Sequence, residues 1–470
     1  MRKIIKMTVM LLSLAACENA DFGDAVINPN EPSVAIASAF LGSGQLALGN
    51  IYSEARPSLY VQYLANEQYN SMSLYRTQRF DYVNYYHAIT NLLKVIALNT
   101  NPKTKEKSSL YGSNNNQIAV ARLVRAFYFQ FMTDNWGMLP YSTANDLSVE
   151  FNKFDTQETI YRSLFKEIEE AILQIDHGAG PTGDIILKGD MRKWRLFGYS
   201  LMMNMAVRLS HKAPSLGKMY YQKALNGGVI FSNNDNFYFP YLEDENHDNP
   251  WQDRFQTRSD YLLSDTFVNA LIGKGTNVAP EDPRLEKFGE KAVSTHVYNG
   301  APYGAINSRT NTFSFITKSV IYNQRAKGYL LTAAQMYFNA AEAAHYGWDQ
   351  RHTAAYYYEQ GIRASMEQWG VSQADIVRYL QKRPAFIGMR SIAYEKWVAL
   401  FLQGYEAWFD WRKQGEFQVP LKKPVAAITK GIPNRQAYPL SAISANEANY
   451  RKALALQGPD NLDTKVWWAK

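Results

Sequence analysis

Seven histidines punctuate the chain singly, at positions 87, 177, 211, 247, 296, 345 and 352, without the His-Glu-x-x-His or paired Cys/His spacing that sets two metal ligands on one helix face. These residue types give no support to a transition-metal centre. His345 and His352 flank a turn, where a surface role suffices. The sequence also lacks a Gly-x-Ser-x-Gly elbow, a phosphate-binding loop and a dinucleotide fingerprint. The run Glu243-Asp244-Glu245, with Asp248, offers hard oxygens to Ca²⁺, but its spacing is not that of an EF-hand, and a solvated acidic loop is the simpler reading. A glycoside hydrolase needs two carboxylates at a set separation in space, which the 43 acidic residues neither reveal nor exclude. No catalytic residue, metal site or cofactor is therefore assigned, a structural Ca²⁺ being the one ion left open, and the chain reads as a binding protein rather than an enzyme.

Binding chemistry is better represented. The 470 residues include 32 Tyr, 23 Phe and 10 Trp. Aromatic faces stack on the apolar faces of sugars, while Asn, Gln and Arg side chains hydrogen-bond to hydroxyls. Three long polar or mixed segments, about 68–82, 231–260 and 274–324, carry many rings, and loops of such length in a folded protein are usually functional or disordered. Their aromatic content argues against disorder. Tyr75 and Arg79 in the first, Trp251 and Arg254 in the second, and Tyr303, Asn307 and Arg309 in the third are the ligand-binding candidates. Most of the other rings are expected to pack helices.

The elements that must hold these loops are helical. Apolar residues recur with helical period over 80–98, 117–133, 157–175, 191–209, 327–346, 353–369 and 387–411, and strand-like alternation is scarce. Asp155, Thr156 and Glu158 give the helix beginning near 157 an acidic first turn. Tyr337, Ala340, Ala341 and Ala344, followed by Ala354, Tyr358 and Gly361, approximate the tetratricopeptide pattern, in which small residues let a second helix approach closely. The segments around 122–131 and 160–175 form a second candidate pair, and 196–209 a further helix. The expected fold class is all-α, a helical-repeat superhelix supporting a loop-rich face.

The N-terminus reads Met1-Arg2-Lys3-Ile4-Ile5-Lys6, an apolar run from Met7 to Leu14, then Ala15-Ala16-Cys17. A positive start, a short apolar core and small residues make a secretory signal. The core is too short to span a bilayer, which takes about 20 residues. Leu14-Ala15-Ala16-Cys17 has the form of a bacterial lipobox, so the single cysteine of the chain is expected to be the lipid attachment site, with no partner for an internal disulfide. The expected organisation is a signal peptide at 1–16, a tether at 17–36 and one domain at 37–470. The formal net charge of +7 includes Arg2, Lys3 and Lys6 of the signal; the remaining small surplus, without a basic run, gives no nucleic-acid footprint.

Several motifs in order resemble the SusD/RagB family of Bacteroidetes outer-membrane nutrient-binding lipoproteins, in particular its second SusD-like branch. After the lipobox come Asn28-Pro29-Asn30-Glu31-Pro32, then Arg122 to Phe129 leading to Trp136-Gly137-Met138-Leu139-Pro140-Tyr141, and Gly189-Asp190 with Trp194 and the helix through Arg208. The C-terminal half adds Ala341-Glu342-Ala343-Ala344, Tyr356 to Ser365, Lys396 to Leu400, Gly404 to Arg412, Pro433-x-Arg435 with Tyr438-Pro439, Asn446, Asn449-Tyr450 and Lys465 to Trp468. At Lys413-Gln414-Gly415 the chain departs from the Arg and Thr frequent in the family, which puts the local turn in doubt. The resemblance implies four tetratricopeptide-like units, attachment to the outer membrane facing the cell exterior, and delivery of an oligosaccharide to a SusC-like TonB-dependent β-barrel transporter. A peptide ligand, as in one branch of the family, and a tetratricopeptide envelope scaffold without a small ligand are the alternatives. The family motifs are mainly structural, so Trp397, Trp408 and Trp411 are expected to pack helices.

Overall fold

Helix starts are written into the chain as short polar side chains that accept an orphaned backbone N–H. Thr156 accepts from Thr159, Asp190 from Lys193, Thr332 from Gln335, Thr353 from Tyr356 and Ser372 from Asp375. The computed structural model describes residues 36–76, 79–144, 148–274 and 281–470. Its longer helices are α1 (Ala37–Ser53), α2 (Val83–Thr100), α3 (Asn114–Trp136), α4 (Gln157–Gln174), α5 (Met191–Arg208), α6 (Pro214–Gly227), α7 (Ala333–His345), α8 (Ala354–Gln368), α9 (Gln373–Lys382), α10 (Met389–Ala399), α11 (Gly404–Lys413) and α12 (Glu447–Gln457). The expected signal, Cys17 and the tether as far as residue 35 lie outside the described residues. Among the described residues no helix is long and apolar enough to cross a membrane.

The helices pack as antiparallel neighbours in four pairs, α1 with α2, α3 with α4, α5 with α6 and α7 with α8. This is the helical-repeat architecture expected from the periodicity. The last pair is the one whose small residues stood out: a Cβ at Gly361 of α8 would lie 2.9 Å from the Phe338 ring of α7, so only glycine permits the approach. Arg122 of α3 clasps Glu167 of α4 at 2.8 Å, and the carboxylate of Asp349 joins Tyr221 of α6 to Tyr357 of α8 at 2.7 and 2.9 Å.

Two long helical expectations divide in the structure. Within 327–346, Gly328–Leu331 is a strand paired antiparallel with Phe237–Phe239, and α7 starts only after the Thr332 cap. Within 387–411, Leu402 has a φ of 63° and separates α10 from α11, and Gly404, which opens α11, sits so close to the Ser58 backbone that a Cβ there would lie 2.6 Å from its nitrogen. Apolar periodicity persists across both breaks because both flanks face the same core.

Between α7, α10 and α11 lies a buried ionic lattice. Lys396 Nζ donates to Glu342 at 2.7 Å, Asp410 at 2.6 Å and Asn339 at 2.7 Å, which occupies all three of its protons. Lys413 also pairs with Glu342, and lies 3.3 Å from Asp410; Gln414 donates to Asp410 at 2.9 Å. Lys413 and Gln414, which depart from the family pattern, are thus built into the interior. A second buried triad, Arg284 with Asp282 at 2.6 Å and Glu395 at 2.5 Å, fastens the base of the third long segment to α10. The tryptophans pack as expected: the indole N–H groups of Trp397, Trp408 and Trp411 donate to the carbonyls of Val61, Pro433 and Val419.

Candidate functional site

Three residues on either side of the loop face make a short ribbon, Leu64–Asn66 antiparallel to Tyr261–Leu263, with all six residues buried. The first long segment leaves from Asn66, and the second arrives at Tyr261. Glu67 N–H donates to the Asp260 carbonyl at 3.0 Å and extends the ladder by one rung. The third segment lies along the same ribbon. Leu263 N–H donates to Ser314, and Asp265 N–H to Ala301. Asn307 donates its side-chain amide to Asn66 O at 2.8 Å and its backbone N–H to Glu67 O at 2.6 Å, while Asn70 donates to Gly304 O at 2.9 Å. The three long segments therefore converge.

At this junction Tyr69 stands 59% exposed, with the Arg258 guanidinium 5.5 Å from its ring centroid. Arg258 also pairs with Asp260 at 2.7 Å. Burial, and then the neighbouring charge of Asp260, push the Glu67 carboxyl above its ordinary range against the pull of Arg258. Ile306, exposed, adds an apolar element beside Asn307, and the Arg309 guanidinium has no partner among the described residues. An aromatic face bordered by a guanidinium and carboxylates can stack on one face of a polyol ring while bonding to its hydroxyls.

The candidates named from the sequence divide around this junction. Tyr75, Tyr303 and Asn307 come together there, and Arg309 follows two residues after Asn307. Tyr75 is fully buried with a φ of 57°, edge-on to Tyr60 at 5.5 Å, and its hydroxyl meets that of half-buried Tyr303 at 3.3 Å, so this pair underlies the surface rather than forming it. Asn307 is the buried strap described above. Arg79 is elsewhere, paired with Asp460 at 2.7 Å and donating to Tyr438 O at 2.7 Å. Trp251 has no exposed area; it packs edge-on to Tyr261, with Arg254 4.8 Å above its ring and donating to Ser53 O. A ring without exposed area presents no face to a ligand. Tyr69 and Arg258 were missed by the sequence reading. The available signal was Tyr69 set among Gln68, Asn70 and Ser71, whereas Tyr75 follows Leu74.

Among the described residues no three His, Cys, Asp or Glu side chains gather as a metal-holding group. In the acidic run, Asp244 accepts from His247, a bond that holds its carboxyl below the ordinary range, and buried Asp248 accepts from Gln324 at 3.2 Å.

The chain is similar in fold to a chitin-binding protein, with 23% identity over 92% of this chain and 99% of that one and a TM-score of 0.78. It is likewise similar to a chitin-binding SusD homologue from Flavobacterium johnsoniae, with 21% identity over 92% and 98% of the two chains and a TM-score of 0.75. A SusD homologue from Bacteroides thetaiotaomicron gives 22% identity over 93% and 99%, again with a TM-score of 0.75. No curated protein matches the chain by sequence. A family model described as starch-binding and associating with the outer membrane matches residues 29–439, nearly the whole chain, and the protein therefore belongs to the SusD-like family.

Proposed function

We propose that this protein is a non-catalytic glycan-binding lipoprotein of the outer membrane, which captures oligosaccharide at the loop junction and passes it to a SusC-like TonB-dependent β-barrel transporter. The observation that carries the reading is the meeting of three long segments on one buried ribbon, with Tyr69 and Arg258 left exposed above it. Acylated Cys17 would hold the chain at the cell exterior, since several buried acyl chains anchor firmly. The charged groups Glu67, Arg258, Asp260 and Arg309 also suit an extended peptide, recognised through charge and backbone.

Calorimetry against maltoheptaose, chitohexaose and a mixed peptide pool separates the two readings. Tyr69→Ala and Arg258→Ala should each weaken sugar binding about tenfold or more, as loss of a stacking ring or a charged hydrogen bond does. Unchanged sugar affinity in both variants would sink the loop junction as the glycan site, and heat from the peptide pool alone would favour the peptide ligand. Cys17→Ser should release the protein from the membrane fraction, and pull-down with the native protein should recover a large β-barrel.

A further inference from the structure

Helices α1 and α2 form an unusual surface pair. Across their 17 and 18 residues there is no carboxylate and one lysine, Lys94, which is spent over the Phe40 ring. The outward face of α4 is the contrast, laced with Glu158–Arg162 and Lys166–Glu170 pairs, as solvated helices commonly are. In place of charge, α1 presents Ser43, Leu46 and Asn50, and α2 presents Asn84, His87 and Asn91. Each set runs at i, i+3 or i+4, and i+7, so each forms one stripe. Asparagine is a poor helix former compared with the Lys, Glu and Gln that usually fill such positions.

The two stripes face a common groove of about 410 Å³, whose third wall is the turn containing His247 and Asp248, with Phe239 and Tyr241 at its floor. That wall is braced by its own bonds: Leu242 N–H to His247 O, His247 N–H to Asp244 O, and Asn249 to Val320 O. The side chains of Ser43, Asn50, Asn84, His87 and Asn91 have no partner among the described residues. The two helices therefore offer the groove neutral groups, most of them both donors and acceptors, over an apolar floor, while the third wall holds one carboxylate, buried Asp248, already accepting from Gln324; the volume is within the roughly 300–1,000 Å³ usual for small-ligand sites. Hydroxyls are themselves donor and acceptor at once and match such a lining. Charged peptide side chains would find little to pair with on the two helices.

We propose that this groove on the α1–α2 face is a second saccharide subsite, separate from the loop junction. It rests on the proposed function for its ligand class alone. Two subsites on one rigid body would let a single polymer chain engage twice, which raises its residence without a new contact at either site.

The test follows the imidazole proton resonances of His87 and His247, identified with His87→Gln and His247→Gln, during titration with maltoheptaose and with chitohexaose, alongside calorimetry. Both resonances should move in the native protein and in the Tyr69→Ala/Arg258→Ala variant. Asn84→Leu/Asn91→Leu should weaken this response about 100-fold while leaving the heat from the loop junction intact. Resonances that stay still with both sugars, or that stop moving in Tyr69→Ala/Arg258→Ala, overturn the groove even where calorimetry upholds the loop junction. Conversely, heat that survives Tyr69→Ala/Arg258→Ala but disappears in Asn84→Leu/Asn91→Leu overturns the loop junction and upholds the groove. Near-UV circular dichroism checks that each variant is folded.

Discussion

Two regions of this molecule use the same chemical groups to opposite ends. In the helical interior, Glu342, Lys396, Asp410 and Lys413 are at most 8% exposed, and every charge has a close counter-charge. At the loop junction, Arg258 is 61% exposed and meets one carboxylate. Taking charges out of water costs several kcal/mol per ion, so the interior lattice survives only with full pairing, and removing a member is severe. An exposed pair is worth about 0–1 kcal/mol. The difference teaches where rigidity and adaptability reside: the lattice locks α7, α10 and α11, whereas Arg258 can exchange its intramolecular partner for a ligand at little cost.

That contrast can be broken by mutation. Lys396→Met should destabilise the fold by roughly 3–5 kcal/mol in denaturant titrations, because it leaves Glu342 and Asp410 sharing Lys413. A loss below about 1 kcal/mol would mean that the lattice is not a lock. Trp251→Ala should cost a similar 3–5 kcal/mol through the cavity left by a fully buried ring. Native stability with lost sugar binding would instead return Trp251 to the ligand surface.

The pH dependence sharpens the same point with a smaller effect. Burial raises the Asp410 carboxyl, but Lys396 and Lys413 outweigh it and hold the group well below the ordinary value of 3.8. A depressed carboxylate contributes stability that is fully present above its unfolded value and is lost as pH falls through the folded one. Urea midpoints should therefore drop below about pH 4. Asp410→Asn should be less stable at neutral pH and show a shallower acid slope; an unchanged slope would remove Asp410 from the acid response. The smallest effect belongs to the junction: Tyr69→Ala and Arg258→Ala should change stability by no more than about 0.5 kcal/mol, since neither side chain fills a buried space. A larger loss would make them structural and weaken the binding assignment.

Much of the scaffold could be read along the chain. Caps such as Thr156 and Asp190 mark helix starts within the local sequence, and Gly361 with Ala340 and Ala341 shows where two helices meet, because neighbouring turns of one helix bring i, i+3 and i+4 together. The breaks at Thr332 and Leu402 were not legible, since the apolar period continues through both.

What the sequence by itself determined was the helical class, the family motifs and the three segments rich in aromatic residues, all of which rest on periodicity, composition and local spacing. Tertiary structure alone decided which rings and cations are free. Tyr69, Tyr75 and Trp251 are each an aromatic residue in a long polar segment, separated in sequence only by the polarity of their immediate neighbours. Exposure depends on partners hundreds of residues away: Tyr303 sits over the Tyr75 hydroxyl, and the Arg254 that covers Trp251 is itself fastened to Ser53. Tyr69 has the Arg258 guanidinium over its ring at 5.5 Å and remains open to solvent. Spacing along a chain carries no record of such distant contacts, because they form only when the helical pairs bring the loops onto one ribbon.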